Sequence, residues 1–120
     1  MPRPEPSGAR WLAAPPVAAR LNESGQYDRP IEPVEGALLG EIDLIPTPGH
    51  TLSHHSLRFD CEELSVVIAG DAAMTRDFWR ERQGYFNSAD FDLVARSIER
   101  LAQIGDLIIP GHDNYFLNRR

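Results

Sequence analysis

The chain lacks several things, and each absence excludes a class of protein. Cys61 is its single cysteine, so no internal disulfide can form and nothing points to an oxidising compartment. Positive charge is scarce: 12 basic against 18 acidic residues leave a net charge of −6. That balance argues against nucleic acid as a partner, because phosphate binding needs a basic face. It also gives no support for an anionic membrane surface. No apolar run approaches the roughly 20 residues that cross a bilayer. The stretch Trp11-Leu12-Ala13-Ala14 is cut short by Pro15 and Pro16 before a signal-peptide core can form, so a cytoplasmic location is the default. Histidine is also short in one place: of four in the chain, none precedes His50. At 120 residues, the whole is at most one small domain.

What is present is an apolar strand running into Pro-Gly-His, and it occurs twice. Ile42-Asp43-Leu44-Ile45-Pro46-Thr47 leads into Pro48-Gly49-His50, and Asp106-Leu107-Ile108-Ile109 leads into Pro110-Gly111-His112. Between them, Leu64-Ser65-Val66-Val67-Ile68-Ala69 ends at Gly70-Asp71. Pro-Gly stops a strand and turns the backbone, so each histidine projects from a rigid edge. Two imidazoles and one carboxylate at strand ends form the borderline N/O donor set that suits zinc, with iron or manganese fitting the same donors.

Residues 1–10 are proline-rich and read as disordered, and 11–36 read as a weak helix over about 17–23 followed by an irregular or extended connection. The chain is therefore divided into a poorly defined segment, 1–36, and a half-domain, 37–120. Within the latter, Ala37–Leu39 and Glu41–Ile45 read as short strands joined near Gly40. His55–Asp60 alternates, and Leu64–Ala69 is apolar enough to be covered on both faces. Ala72–Arg82 reads as a loop with a helical turn. Residues 88–104 give the strongest helix, with Phe91, Val94, Ala95, Ile98, Leu101 and Ala102 on one face. Asn87 or Ser88 is the expected cap and Gly105 the stop. Asp92, Arg96, Glu99 and Arg100 read as a solvated face with i,i+4 pairing. The fold class is α/β of the α+β type, mainly antiparallel strands with a helix on one face.

Thr47-Pro48-Gly49-His50-Thr51-Leu52-Ser53-His54-His55-Ser56-Leu57 resembles the third motif of the metallo-β-lactamase superfamily, usually Thr-Pro-Gly-His-Thr-x-Gly-His-x-Ser-Leu. Gly70-Asp71-Ala72-Ala73 resembles its fourth motif and Pro110-Gly111-His112-Asp113 its fifth, in the same order. The resemblance covers about residues 37–116 and implies the C-terminal half of an αββα sandwich. It implies that His50 binds one metal and His112 the other, with Asp71 bridging both as metal ligand and catalytic carboxylate. It further implies a dinuclear centre, zinc by default, whose hydroxide attacks an ester, lactone or thioester bond of a small molecule. The superfamily's second motif, His-x-His-x-Asp-His, is missing upstream of His50. The chain is thus expected to be truncated, to pair with a missing N-terminal half or a second copy, or to be a non-catalytic half-domain acting in oligomerisation or weak metal binding.

The flavour of the motifs is similar to acyl-homoserine-lactone lactonases, although Met74 stands where those enzymes usually place a tyrosine, and Met cannot donate a hydrogen bond. His54 matches a position that supports the site, and the alternative is a loop histidine satisfied locally. Asp113 either orients His112, contacts substrate or is a turn aspartate. Asp71 taken alone reads as a cap for the following helical turn. Ser56 reads as a strand residue with no base beside it, and Cys61 as inert. Phe78, Trp79, Tyr85 and Phe86 either wall a substrate site or pack on the next helix.

Overall fold

The computed structural model describes residues 10–38 and 40–119. Of the stretch 1–10 expected to be disordered, residues 1–9 lie outside the described residues, as does the strand assignment of Leu39, whereas Arg10 is placed and its guanidinium pairs with Glu32 at 2.8 Å. The chain divides between Glu35 and Gly36 into two units.

In the first unit, β1 (Leu12–Ala13) pairs in parallel with β2 (Glu32–Pro33), and α1 (Pro15–Ser24) connects them. The helix begins at Pro15 rather than near residue 17. The first turn of a helix has no use for its N–H groups, so Pro15 and Pro16 start it at no cost. Gly25 closes it in the left-handed conformation. The return segment is held by the Asn22 side-chain amide, which accepts from Ile31 N at 2.8 Å and donates to Ile31 O at 3.0 Å. The connection is therefore extended at β2, one of the two readings, and ordered by a side chain that takes the place of a strand partner.

The second unit is a six-stranded sheet in the order β3 (Ala37–Leu38), β4 (Ile42–Pro46), β5 (His55–Cys61), β6 (Leu64–Gly70), β7 (Leu107–Pro110) and β8 (Phe116–Leu117). Only β6 and β7 run parallel. The crossover between them carries α2 (Arg76–Glu81) and α3 (Phe91–Ile104). The β5–β6 hairpin turns on Glu62 in the left-handed conformation, with Cys61 exposed beside it.

Register assigns the two faces of this sheet. Val67, Ala69 and Ile108 pack with Val94, Ile98 and Leu101 of α3 in one buried cluster. The opposite face carries Ile42, Leu44, Leu57, Phe59, Val66, Ile68, Leu107 and Ile109, aligned across four strands by the pairs Leu44↔Leu57, Leu57↔Ile68, Phe59↔Val66, Val66↔Leu107 and Ile68↔Ile109. Burying an apolar side chain yields about 1.5–3 kcal/mol, and α3 collects this along the stripe Val94–Ser97–Ile98–Leu101. Phe91, at the first helical position, is exposed instead of buried. Ser97 takes a place in the stripe because its hydroxyl donates to Pro48 O at 2.8 Å.

The cap of α3 is Asp90, not Asn87 or Ser88; its carboxylate accepts from Leu93 N at 3.0 Å. Residues 89 and 90 are occupied elsewhere, since Ala89 N donates to His50 O and Asp90 N to Gly49 O. Glu99 pairs with Arg82 at 2.8 Å across to α2, where pairing along α3 itself was expected. Thr75, rather than Asp71, caps α2.

Candidate metal centre

Both Pro-Gly-His turns end beside Asp71, and each glycine is there because something comes too close for a side chain. Gly49 has φ +150, and a Cβ on it would lie 2.6 Å from Val94 N, so the loop rests directly on the first turns of α3. A Cβ on Gly111 would collide with Asp71 Oδ1. The second turn is tied to the stretch after Asp71 by Gly111 N→Ala73 O (3.1 Å) and His112 N→Met74 O (2.8 Å).

The result is a carboxylate with one imidazole at each oxygen. His50 Nε2 lies 3.5 Å from Asp71 Oδ2, and His112 Nε2 lies 3.1 Å from Asp71 Oδ1. The first distance is too long for a hydrogen bond. Two ligands of one tetrahedral zinc, each held at about 2.0–2.2 Å, stand about 3.4 Å apart. Both pairs therefore have the spacing of adjacent donors on an ion, and the donor types suit zinc. The count falls short: among the described residues no three His, Cys, Asp or Glu side chains converge on a single ion position. Each imidazole has only Asp71 for company, where catalytic zinc takes three protein ligands. The halves also differ in exposure, the His50 side chain being 17% exposed and that of His112 64%. His50 Nδ1 is buried without a hydrogen-bond partner among the described residues.

His54 stands at the end of a buried polar chain. Thr47 Oγ1 lies 2.8 Å from His54 Nδ1 and 2.9 Å from Ser56 Oγ, and Ser56 Oγ donates to Ala69 O at 3.0 Å. Counting protons fixes the directions. A carbonyl only accepts, so the Ser56 hydroxyl proton is spent on Ala69 O and Thr47 must donate to Ser56. The Thr47 hydroxyl can then only accept from His54, which carries its proton on Nδ1. In its neutral form His54 would keep its lone pair on Nε2, and this atom faces Gly70, the residue before Asp71. Burial, opposed by the nearby Asp71 charge, pushes the His54 imidazole below its ordinary value. Ser56 is a strand residue in β5, and His55 Nδ1 meets Ser53 O at 2.9 Å. Thr47 was not singled out from sequence; its only signal was its place at the head of the Thr-Pro-Gly-His run.

Asp113 is a tether. Its carboxylate accepts from Arg76 N at 3.1 Å and Asn114 N at 2.8 Å, and those two bonds, the Arg76 one first, lower its pKa. Met74, Thr75, Phe78, Tyr85 and His112 line a largely apolar cavity of about 300 Å³ beside the exposed half of the centre. The four aromatics divide: Phe78 and Tyr85 wall this cavity, Trp79 is buried against Phe116, and Phe86 is exposed.

The model of the metallo-beta-lactamase superfamily matches residues 5–112, and the chain belongs to that superfamily. No curated protein matches it. Among solved structures it is similar to an N-acyl homoserine lactone hydrolase with N-hexanoyl-L-homoserine at its catalytic metal centre, at 23% identity and TM-score 0.67, covering 85% of this chain and 46% of that one. It is also similar to B. thuringiensis AiiA with N-decanoyl-L-homoserine bound, at 22% identity and TM-score 0.70, covering 89% and 48%. A dizinc quorum-quenching lactonase, AidC, aligns at 12% identity and TM-score 0.60, covering 73% and 34%. The chain thus spans about half the length, or less, of these solved relatives. Among the described residues no helix is long and apolar enough to cross a membrane.

Proposed function

We propose that residues 37–120 supply the His50–Asp71–His112 portion of a dinuclear hydrolase centre, with the remaining ligands coming from outside these 120 residues. The observation that carries this reading is one carboxylate flanked at each oxygen by an imidazole, at 3.5 and 3.1 Å. Zinc, or iron or manganese on the same donors, would supply Lewis acidity and a water acidified to about pKa 7. The protein's part is positional. Asp71 holds one donor toward each side, α3 pins the His50 loop, and the Met74 carbonyl pins His112. His54, its ring fixed by Thr47, places its second nitrogen beside Gly70, next to Asp71.

The substrate class is a small ester, lactone or thioester with an apolar arm. The cavity of Met74, Phe78 and Tyr85 accepts such an arm next to His112, and the solved relatives named above hold N-acyl homoserines. Met74 offers apolar contact and no hydrogen bond, so the acyl part is recognised by shape. Zinc titration of the chain and its Asp71→Ala variant tests the reading. Saturable binding that disappears with Asp71 supports it, and binding indifferent to Asp71 refutes it.

A second reading has its own observation. The sheet face of Ile42, Leu44, Leu57, Phe59, Val66, Ile68, Leu107 and Ile109 is apolar throughout, the kind of surface that packs against a second layer. On this reading the chain is a non-catalytic half-domain that oligomerises through that face. A stable dimer by sedimentation, with no zinc affinity, would favour it over the first.

A further inference from the structure

Helix α2 separates two cavities of opposite character. Thr75 and Phe78 face the apolar cavity beside His112, while Arg76, Trp79 and Arg80 face another of about 280 Å³. The second is also lined by Arg82, Phe116 and Arg119, so four guanidiniums surround two aromatic rings. This concentration runs against a chain of net charge −6, whose 12 basic residues are all arginine.

These arginines are arranged rather than scattered. The Arg76 guanidinium lies over the Phe116 ring and that of Arg82 over Trp79, each 5.6 Å from the ring centre. Arg82 caps α2 in the left-handed conformation, at φ 56, a position that usually takes glycine or asparagine. Its side chain is then fixed by Trp79 O at 2.6 Å and Glu99 at 2.8 Å. Arg80 approaches Asp77 only at 3.9 Å. Among the described residues Arg119 has no carboxylate within ion-pair distance, and Arg76 interacts with the exposed Asp113 carboxylate only beyond that distance, which leaves two forks to take an oxyanion. The floor made by Trp79 and Phe116 is apolar, and the volume exceeds what a lone inorganic anion fills.

We propose that this cavity binds a small phosphomonoester, its phosphate gripped by Arg76 and Arg119 and its organic part resting against Trp79 and Phe116. Planar guanidinium forks match phosphate oxygens in pairs, which is the geometry that favours arginine over lysine for this ligand. The site lies on the face of α2 away from His112, so its occupancy does not depend on the metal chemistry proposed above.

The test is calorimetric titration of the full chain with glycerol phosphate, with inorganic phosphate and glycerol as separate arms. Saturable binding of glycerol phosphate, roughly tenfold tighter than inorganic phosphate, is expected, with none for glycerol. Arg76→Gln and Arg119→Gln should each weaken it by roughly tenfold, the effect of one lost charge-assisted bond. Arg96→Gln, exposed on α3, should leave it unchanged. Arg119 lies one residue from the chain's end, so its variant reads the site even where Arg76→Gln disturbs α2. Equal affinity for inorganic phosphate and the ester would mean an adventitious ion only and would overturn the proposal. So would the absence of saturable binding, or binding that survives both Arg76→Gln and Arg119→Gln.

Discussion

Two turns of identical sequence, Pro48-Gly49-His50 and Pro110-Gly111-His112, meet the same carboxylate in different surroundings. The first is clamped: Gly49 touches the backbone of α3, Ser97 holds Pro48 O, and residues 89 and 90 bond to the carbonyls of His50 and Gly49. The second is held on one side only, by the carbonyls of Ala73 and Met74, and its imidazole stands largely in solvent. The motif therefore fixes where a histidine sits, while its neighbours fix how firmly. A centre built this way would have one rigid and one adjustable imidazole, with the cavity of about 300 Å³ on the adjustable side.

Asp71 is the element both turns share, and its loss should have the largest effect. Asp71→Ala should lower zinc affinity by more than the roughly 10–100-fold that outer partners of a metal site contribute, measured by competition with a chromogenic chelator.

Breaking the clamp comes next. Gly49→Ala forces a Cβ into α3 and strains a backbone at φ +150, each costing about 1–3 kcal/mol. Thermal unfolding should fall by roughly 10 °C or more, at about 4–8 °C per kcal/mol. Gly111→Ala puts a Cβ against Asp71 Oδ1 and the Gly70 backbone without a positive-φ penalty, so it should cost less stability than Gly49→Ala while also lowering zinc affinity. If both variants lost stability equally, the contrast between the turns would fail.

Thr47→Val leaves Ser56 and His54 without their shared partner, at a cost of about 1–3 kcal/mol. In addition, long-range nitrogen–proton NMR should read His54 as protonated on Nδ1 in the parent chain. A proton on Nε2 would refute the order of donors deduced above.

The smallest effect is pH dependence. Burial holds the folded His54 below its ordinary value near 6.5. The unfolded chain therefore takes up the proton first, so this contribution is present above about pH 6.5 and is lost as pH falls through the lowered folded value. Comparing denaturant midpoints above and below that pH should show a slope that His54→Gln reduces.

Much of this arrangement was legible in the sequence, because strands β4, β6 and β7 and helix α3 have strong apolar periods and their ends carry the Pro-Gly-His and Gly-Asp signals. What escaped depends on tertiary contacts. Asp90 displaces Ser88 as the cap because the backbone N–H groups of Ala89 and Asp90 donate to the carbonyls of His50 and Gly49. Phe91 fits the helical period yet is exposed, while Ser97 is buried through a bond to a residue 49 positions away. The Thr47–His54–Ser56 chain exists only in the register that pairs Pro46 with His55 and Ile45 with Ser56. Strand β8 has two residues, too few to show a period.

The most direct test of the proposed bridging role of Asp71 is zinc binding by calorimetric titration of the parent chain, His50→Ala, His112→Ala and Asp71→Ala. The proposed reading predicts zinc affinity in the parent that is weakened in each histidine variant and lost without Asp71. Undiminished zinc binding in Asp71→Ala would contradict it.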